Sequence, residues 1–400
     1  MTTNEPALSL GTSNGRFPRR RFGIKHADRF FHMLLIGRTG VGKTTLIETM
    51  ALQDIRAGRG LCVVDPHGDL FDRLCAEIPE GRRGDLYALD LTEVGQRFGY
   101  NPLRRVAPHL IPLAAGGMLS AMKKMWQTEW GVRMEHVLRN ALFALIEYGR
   151  GTLPDLLALL TDDAFRKDVL RRVSNEQVRH FWESEYPKYN PRYRQEAIAP
   201  IQNKIGAFLS DPRMRMLFTQ GKQEGKEELS LRRVMDEGKV LLINLAAGKL
   251  GDDTAGLLGA FLVSTIALAA FSRADSAETD RPDFFLYIDE FQNFTTPSVV
   301  DMISGLRKFR VALTLGHQHL AQLTPDVRHA VLANAGSLIT FRVGPEDAAV
   351  LAREFDGVFE PSDLLNLPNH DAYWKVMIDA TPSRPFSGTA VAPWELPILE

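Results

Sequence analysis

The run Phe31-His32-Met33-Leu34-Leu35-Ile36-Gly37-Arg38-Thr39-Gly40-Val41-Gly42-Lys43-Thr44-Thr45 decides the fold. Its first part, Phe31 to Ile36, is a short apolar stretch of the kind that forms a buried strand, and a helical pattern runs from Lys43 to about Ala57 before Gly58 and Gly60 stop it. Between them lies Gly-x-x-x-x-Gly-Lys-Thr, Gly37 to Thr44. A triphosphate is recognised by many donors close together, and glycines let backbone N–H groups wrap it while the following helix adds its N-terminal dipole. Gly37, Gly40 and Gly42 supply that freedom. Lys43 then faces the β- and γ-phosphates and the Thr44 hydroxyl suits Mg²⁺. With Arg38, Thr39, Val41 and Thr45 these residues form the expected nucleotide cradle, with ATP and Mg²⁺ the expected ligands.

A second element follows at Phe284-Phe285-Leu286-Tyr287-Ile288-Asp289-Glu290, an apolar strand ending in two carboxylates. Asp289 is placed to hold the metal, and Glu290 to polarise an attacking water. After another apolar run comes Gly316-His317-Gln318, where the Gln318 amide on a neighbouring strand can bond both water and the terminal phosphate. Phosphoryl transfer also needs positive charge on the developing equatorial oxygens, and Arg307, Arg310 and Arg342 are the candidates. The turn Asp65-Pro66-His67-Gly68-Asp69 reads either as a loop with Asp69 capping the next helix or as a second wall of the nucleotide site.

Outward from these motifs, β-rich and helical runs alternate, as in a mostly parallel sheet covered by helices. Strands are expected at Phe31 to Ile36, Leu61 to Val64, Leu86 to Leu89, Val240 to Leu245, Phe284 to Ile288, Ala312 to Leu315, Ser337 to Phe341 and Ala372 to Ile378. Between about Arg105 and Gly238 the strand pattern vanishes and helical periodicity takes over. Helices are expected at Met134 to Tyr148, Thr152 to Leu160, Ala164 to Val173, and Pro200 to Leu209 with its proline in the first turn. The expected organisation is a basic, disordered tail over 1–22, a nucleotide-binding core from 23–105 and 239–400, and an all-helical insertion at 106–238. Linker-like loops are read at Gly221 to Glu228 and Ser272 to Asp283.

Of the 400 residues, 44% are apolar and 24% charged, which describes a folded globular chain and excludes a disordered or fibrous one. A net charge of −1 gives no global basic field, so affinity for nucleic acid has to come from a local lining. Arg16, Arg19, Arg20, Arg21, Lys25 and Arg29 cluster before the first strand and read as a solvated tail or a contact to phosphate backbone. The two cysteines, Cys62 and Cys75, have neither metal-ligand spacing nor a disulfide framework, which implies a reducing, cytoplasmic setting. Met1 to Gly15 lacks the apolar core of a signal peptide. Thr254 to Phe271 is an uncharged run of 18 residues that reaches the lower edge of a membrane span, but its Gly, Ala, Ser and Thr content and its place between two strands favour a buried helix.

The ordered set of motifs resembles the FtsK/HerA superfamily of ring-forming, DNA-pumping ATPases, in particular its HerA and type IV secretion coupling-protein branches. The resemblance rests on Phe22-Gly23-Ile24-Lys25, Asp65 to Asp69, Asn101-Pro102-Leu103, Asn203-Lys204-Ile205, Asn244-Leu245 and Gly248-Lys249-Leu250-Gly251. It continues through Tyr287 to Gln292, Arg307-Lys308-Phe309, and Gln318 with Gln322-Leu323. It implies an α/β, RecA-like P-loop NTPase core with an all-α inserted domain at the mouth of a hexameric ring. It also implies DNA as the translocated partner and Arg307 as a finger acting on the neighbouring subunit. Coupling proteins usually begin with transmembrane helices and many HerA proteins with a small β-barrel, whereas about 22 residues precede the match here. The expectation is therefore no intrinsic membrane anchor, with a secretion, relaxase or nuclease partner recruiting the chain. The alternatives are a HerA-like motor serving a nuclease or defence effector, and an ATP-gated assembly scaffold.

Overall fold

The computed structural model describes residues 7–15, 18–219, 227–296 and 303–396. Arg16 of the basic cluster and most of the Gly221 to Glu228 loop lie outside them. Eleven strands form one sheet: β1 Ala7–Ser13, β2 Arg21–Lys25, β3 Met33–Ile36, β4 Gly60–Asp65, β5 Leu86–Asp90, β6 Val240–Asn244, β7 Phe284–Ile288, β8 Val311–His317, β9 Ser337–Thr340, β10 Asp371–Lys375 and β11 Phe386–Ala390. Their spatial order is β2-β1-β11-β10-β9-β3-β8-β7-β4-β6-β5.

From β9 to β6 the pairing is parallel. Every residue of β3, β4, β6, β7, β8 and β9 is buried. That is why these strands read as continuous apolar runs, since a parallel sheet covered on both faces leaves no solvent side to alternate with. Beyond β9 the sheet turns antiparallel through β10, β11, β1 and β2. β10 accordingly alternates between buried and half-buried positions. Leu35, Ile47, Val63, Phe285 and Trp374 belong to one packed cluster joining the sheet to the helix Lys43–Arg56.

Several expectations need correction. Of the expected tail over 1–22, residues 7–13 and 21–22 are not disordered: they lie in β1 and β2, with Gly11 paired to Ala390 and Ala7 to Lys25. Arg29, read as part of a solvated basic cluster, is 1% exposed and forms a two-bond ion pair with Asp54, both bonds 2.8 Å. The stretch expected as one strand from Ala372 to Ile378 breaks after Lys375, and Met377–Ile378 pairs locally with Thr381–Pro382. Pro200 does not start a helix. It lies inside Pro191–Ser210, whose true start is Asn190, accepting from the Tyr193 N–H at 2.8 Å, with Pro191 in the first turn. Asp69 caps nothing through its side chain; Asp65 instead accepts from the N–H groups of His67 and Phe71, both at 2.9 Å, and so closes the turn.

The chain divides into two compact units. The first comprises residues 1–88, 232–244 and 273–400 and carries the sheet's parallel core; the second comprises 89–231 and 245–272. These boundaries differ from the expected insertion at 106–238, chiefly because the helix Asp252–Ser272 belongs to the second unit. There it packs on the helix Ile111–Met125, and Thr265 shares a 2.8 Å hydrogen bond with the Tyr100 hydroxyl. Residues 252–275 are long and apolar enough to cross a membrane, but 89% of the apolar window is buried inside the protein. The helix Val132–Tyr148 also lies in this unit and ends at Gly149, whose φ of 74° is a left-handed stop.

Candidate active site

Parallel pairing aligns strand ends, and here it gathers three of them. His317 at the end of β8 is in register with Ile36 of β3, and Leu315 with Ile288 of β7. The loop after β3, the carboxylates after β7 and the amide after β8 therefore share one edge of the sheet, where open α/β folds bind ligands.

The loop is held at both ends and open in the middle. The Gly37 N–H donates to the His317 carbonyl at 3.2 Å and the Arg38 N–H to the Arg342 carbonyl at 2.9 Å. Arg38, Thr39 and Gly40 are exposed, whereas Val41 is fully buried and its carbonyl accepts from the His370 N–H at 2.8 Å. Gly42 has φ 117°, and a Cβ there would sit 2.9 Å from His370 Nδ1. Both its left-handed backbone and that close approach demand glycine.

Lys43 heads the helix Lys43–Arg56 and is 4% exposed, with its ammonium donating to the carbonyls of Gly37 at 2.6 Å and Arg38 at 3.1 Å. Burial lowers its pKa, and the charges of Glu290 and Asp289 oppose that shift. The Thr44 hydroxyl donates to Asp289 Oδ2 at 2.6 Å. Burial raises the Asp289 pKa, against the opposing effects of the Thr44 bond and the Lys43 charge. A Cβ on Gly316 would lie 2.5 Å from Asp289 Oδ1, so β8 carries glycine beside this carboxylate. Glu290 has φ 48° and is 5% exposed; Gln318 Nε2 donates to its Oε1 at 2.7 Å and Gln292 Nε2 to its Oε2 at 2.5 Å.

One further bond fixes a tautomer. Since the Gln292 amide nitrogen is spent on Glu290, its Oε1 accepts at 2.6 Å from His317 Nδ1, which must carry the proton. His317 Nε2 is then a buried acceptor without a partner among the described residues. Burial brings the His317 pKa down to about 4, so the ring is neutral.

Thr44 and Asp289 present two hard oxygen ligands side by side, the donor type Mg²⁺ prefers when substrate phosphates and water complete its shell. No group of three or more His, Cys, Asp or Glu that could hold a metal occurs among the described residues, which is compatible with such a shared shell. The residues present fit a Mg²⁺–nucleotide.

Lys43, Thr44, Asp289, Glu290 and Gln318 are thus brought together as the sequence suggested. Arg307 is not with them. It lies in the turn Arg307–Phe309 before β8, stacked 3.7 Å over the Phe31 ring. At a rise of about 3.3 Å per residue, the seven-residue β8 sets it roughly 20 Å from its own loop. Arg310 shares that far edge, 2.5 Å from Asp283. Arg342 is beside the loop, but its guanidinium is engaged with the Leu367 carbonyl at 3.0 Å and Asn369 at 2.9 Å.

The family model described as "Type IV secretion-system coupling protein DNA-binding domain" matches residues 23–360. The chain belongs to this family. Among solved structures, the coupling protein is similar to the conjugative coupling protein TrwBdeltaN70, with 17% identity, coverage of 98% of this chain and 90% of that one, and a TM-score of 0.69. It is also similar to TrwB in complex with ADP and Mg²⁺, at 18% identity, 95% and 94% coverage and a TM-score of 0.66. VirB4 of Thermoanaerobacter pseudethanolicus matches at 14% identity, 98% and 98% coverage and a TM-score of 0.63. Likeness at these identities establishes a common fold. Comparison with curated proteins gives no match. In this coupling protein the sequence reading missed His370 under the loop and the Gln292–His317 relay. Gln292 had a signal, an amide two residues after Glu290, and His317 stood next to Gln318; nothing local marked His370.

Proposed function

We propose that this coupling protein is a Mg²⁺-dependent ATPase and one subunit of a six-membered ring that moves DNA. The observation carrying the proposal is the split between two edges of one sheet. The loop, Asp289, Glu290 and Gln318 meet at the C-terminal strand ends, while Arg307 stands at the N-terminal end of β8, out of reach of its own loop. A site complete except for one arginine, with that arginine at the opposite edge, suits subunits that finish each other's active sites.

In this reading the loop N–H groups and Lys43 bind the β- and γ-phosphates. Thr44 and Asp289 would hold Mg²⁺, which would supply charge neutralisation at the phosphates. Glu290 takes the proton of the water whose oxygen bonds to the γ-phosphorus as the bond to ADP breaks. Gln318 and Gln292 fix both carboxylate oxygens of Glu290, and through Gln292 the His317 ring follows any movement of that carboxylate. TrwB, which has been solved with ADP and Mg²⁺, supports the choice of ligand.

Steady-state turnover with and without duplex and single-stranded DNA, over a salt series, tests the reading. Turnover should rise with DNA and the stimulation should fade with salt, as phosphate-backbone binding does. Lys43→Ala should abolish nucleotide binding, whereas Glu290→Gln should retain ATP while turnover drops by orders of magnitude. Equal loss of binding in both variants, or turnover indifferent to DNA at low salt, would sink the proposal.

A further inference from the structure

A second cavity lies wholly within the helical unit and shares no residue with the nucleotide loop. Its volume is about 710 Å³, within the roughly 300–1,000 Å³ typical of small-molecule sites. Two segments are stitched together to form it. Asn101 Oδ1 accepts from the Leu103 N–H at 3.0 Å while its Nδ2 donates to the Gly151 carbonyl at 2.9 Å. The left-handed Gly149 gives the stem of Arg105 a surface to lie on, since a Cβ there would be 3.2 Å from Arg105 Cδ.

Arg104, Arg105 and Arg150 all line the cavity, and none makes a side-chain hydrogen bond or ion pair among the described residues. Elsewhere in the unit Arg133 pairs with Glu196, Arg139 with Glu135, Arg166 with Asp163 and Arg213 with Asp211. Arg104 is half-buried, and burial lowers its pKa. A guanidinium drawn out of water without a bonded counter-charge is costly, and a bound anion offsets that cost.

Two carboxylates also line the cavity. Asp155 is committed to its own turn, accepting from the Thr152 N–H at 2.7 Å and hydroxyl at 2.8 Å. Glu228 attracts Arg104 through space without a hydrogen bond. Three positive groups against two negative ones leave the lining at +1. The remaining wall is aromatic: Tyr148, whose hydroxyl is anchored to Asp168 at 2.8 Å, stands edge-on to Phe165 at 6.2 Å between ring centroids. Guanidinium groups match phosphate oxygens, and aromatic walls match a planar base.

We propose that this cavity binds a phosphate-bearing nucleobase, supplied either as a free nucleotide or as one unit of a single DNA strand. The proposal does not depend on the ATPase reading, because it concerns other residues and is tested with the loop silenced.

In the full chain carrying Lys43→Ala, binding of AMP and of a 5′-phosphorylated oligo-dT pentamer is titrated calorimetrically, alone and against inorganic phosphate. One site per chain is expected, competed by phosphate and weakened about 10- to 100-fold by each of Arg104→Gln and Arg150→Gln, the loss expected for one charge-assisted contact. Binding of AMP identifies a free nucleotide as the source, and binding of the pentamer alone identifies a strand. Should Arg104→Gln fail to melt cooperatively, Arg150→Gln at the exposed rim carries the test, with Arg150→Lys as the variant that keeps the charge. Absence of binding by both probes, or binding indifferent to the arginine substitutions, overturns the proposal.

Discussion

The Thr44 hydroxyl donates a 2.6 Å hydrogen bond to the carboxylate of Asp289, joining the loop helix to the acidic strand at the point where both would meet a metal ion. Burial holds the Asp289 pKa above 3.8. Between 3.8 and that raised value the folded chain binds more protons than the unfolded one, so this group's contribution to stability falls as pH rises through the window. At neutral pH its charge is a burden that a metal would relieve. Asp289→Asn should therefore melt higher than the parent when both lack nucleotide. Adding Mg²⁺ to ATP should then raise the parent's melting temperature further while leaving the variant where ATP alone puts it. Equal Mg²⁺ increments in the two proteins, read by differential scanning fluorimetry, would remove Asp289 from the metal site.

Arg29, Asp54 and Tyr287 form a buried triad, and Arg59 adds a 3.3 Å bond to Asp54 Oδ1. Two 2.8 Å bonds join the Arg29 guanidinium to the carboxylate, and the Tyr287 hydroxyl contacts Arg29 at 2.6 Å and Asp54 at 2.5 Å. The guanidinium also lies 3.7 Å over the Phe285 ring. Leaving a buried charge without its partner typically costs about 3–5 kcal/mol; Asp54→Ala does this to Arg29, whereas Arg29→Ala leaves Asp54 the partly exposed Arg59. In urea denaturation Asp54→Ala should lower the unfolding free energy by that amount and Arg29→Ala by less, and a double-mutant cycle should show strong coupling. Arg29→Lys should recover little, because an ammonium cannot make the two-bond fork or the stacked contact. Full recovery by lysine would show that only charge matters here.

Acid sensitivity should come partly from two buried histidines. Burial brings His32 and His317 from 6.5 to about 4, with the Arg307 charge adding to the effect at His32 and Lys43 at His317. A histidine held neutral in the folded state contributes fully above its unfolded value of 6.5, and that contribution is lost as pH falls towards 4. The full shift is worth up to about 3 kcal/mol per group. Unfolding free energy measured from pH 7.5 down to 5, where ordinary carboxylates stay ionised, should decline. The decline should be smaller in His317→Gln. Identical slopes in parent and variant would show that His317 does not titrate in this way.

The parallel core was legible because a strand buried on both faces writes its burial into consecutive residues, as in β4 and β7. The site was legible for a related reason: Lys43, Thr44, Asp289, Glu290 and Gln318 each follow such a strand, so locating the strand locates the residue. What could not be read was decided across long separations. β1 is a short run containing glycine, and it becomes a strand by pairing Gly11 with Ala390. Arg29 looks like one more surface arginine until Asp54 and Tyr287, on other elements, close around it. Asn190 and Pro191 together outweighed Pro200 as a helix start, a competition that proline position alone cannot settle.

The distance between Arg307 and its own loop leads to the most discriminating test. If each active site combines Lys43 and Glu290 of one subunit with Arg307 of the next, then Arg307→Ala and Glu290→Gln each give an inactive homo-oligomer. In a mixed ring, some boundaries join the intact Glu290 of an Arg307→Ala subunit to the intact Arg307 of a Glu290→Gln neighbour. Those boundaries should hydrolyse ATP. A finger contributes about three to five orders of magnitude in rate, so a few restored sites should rise well above the two parents. ATPase activity plotted against mixing ratio should pass through a maximum at intermediate ratios, with subunit exchange verified by differently tagged chains. Verified exchange with no ratio exceeding the sum of the separate activities would rule out Arg307 as a shared residue. Arg310, on the same far edge, and Arg342, beside its own loop, belong in the same design. Rescue by Arg310→Ala in place of Arg307→Ala would keep the shared site and move the finger by three residues. Arg342→Ala should give no rescue, because its guanidinium already lies in the subunit whose loop it borders.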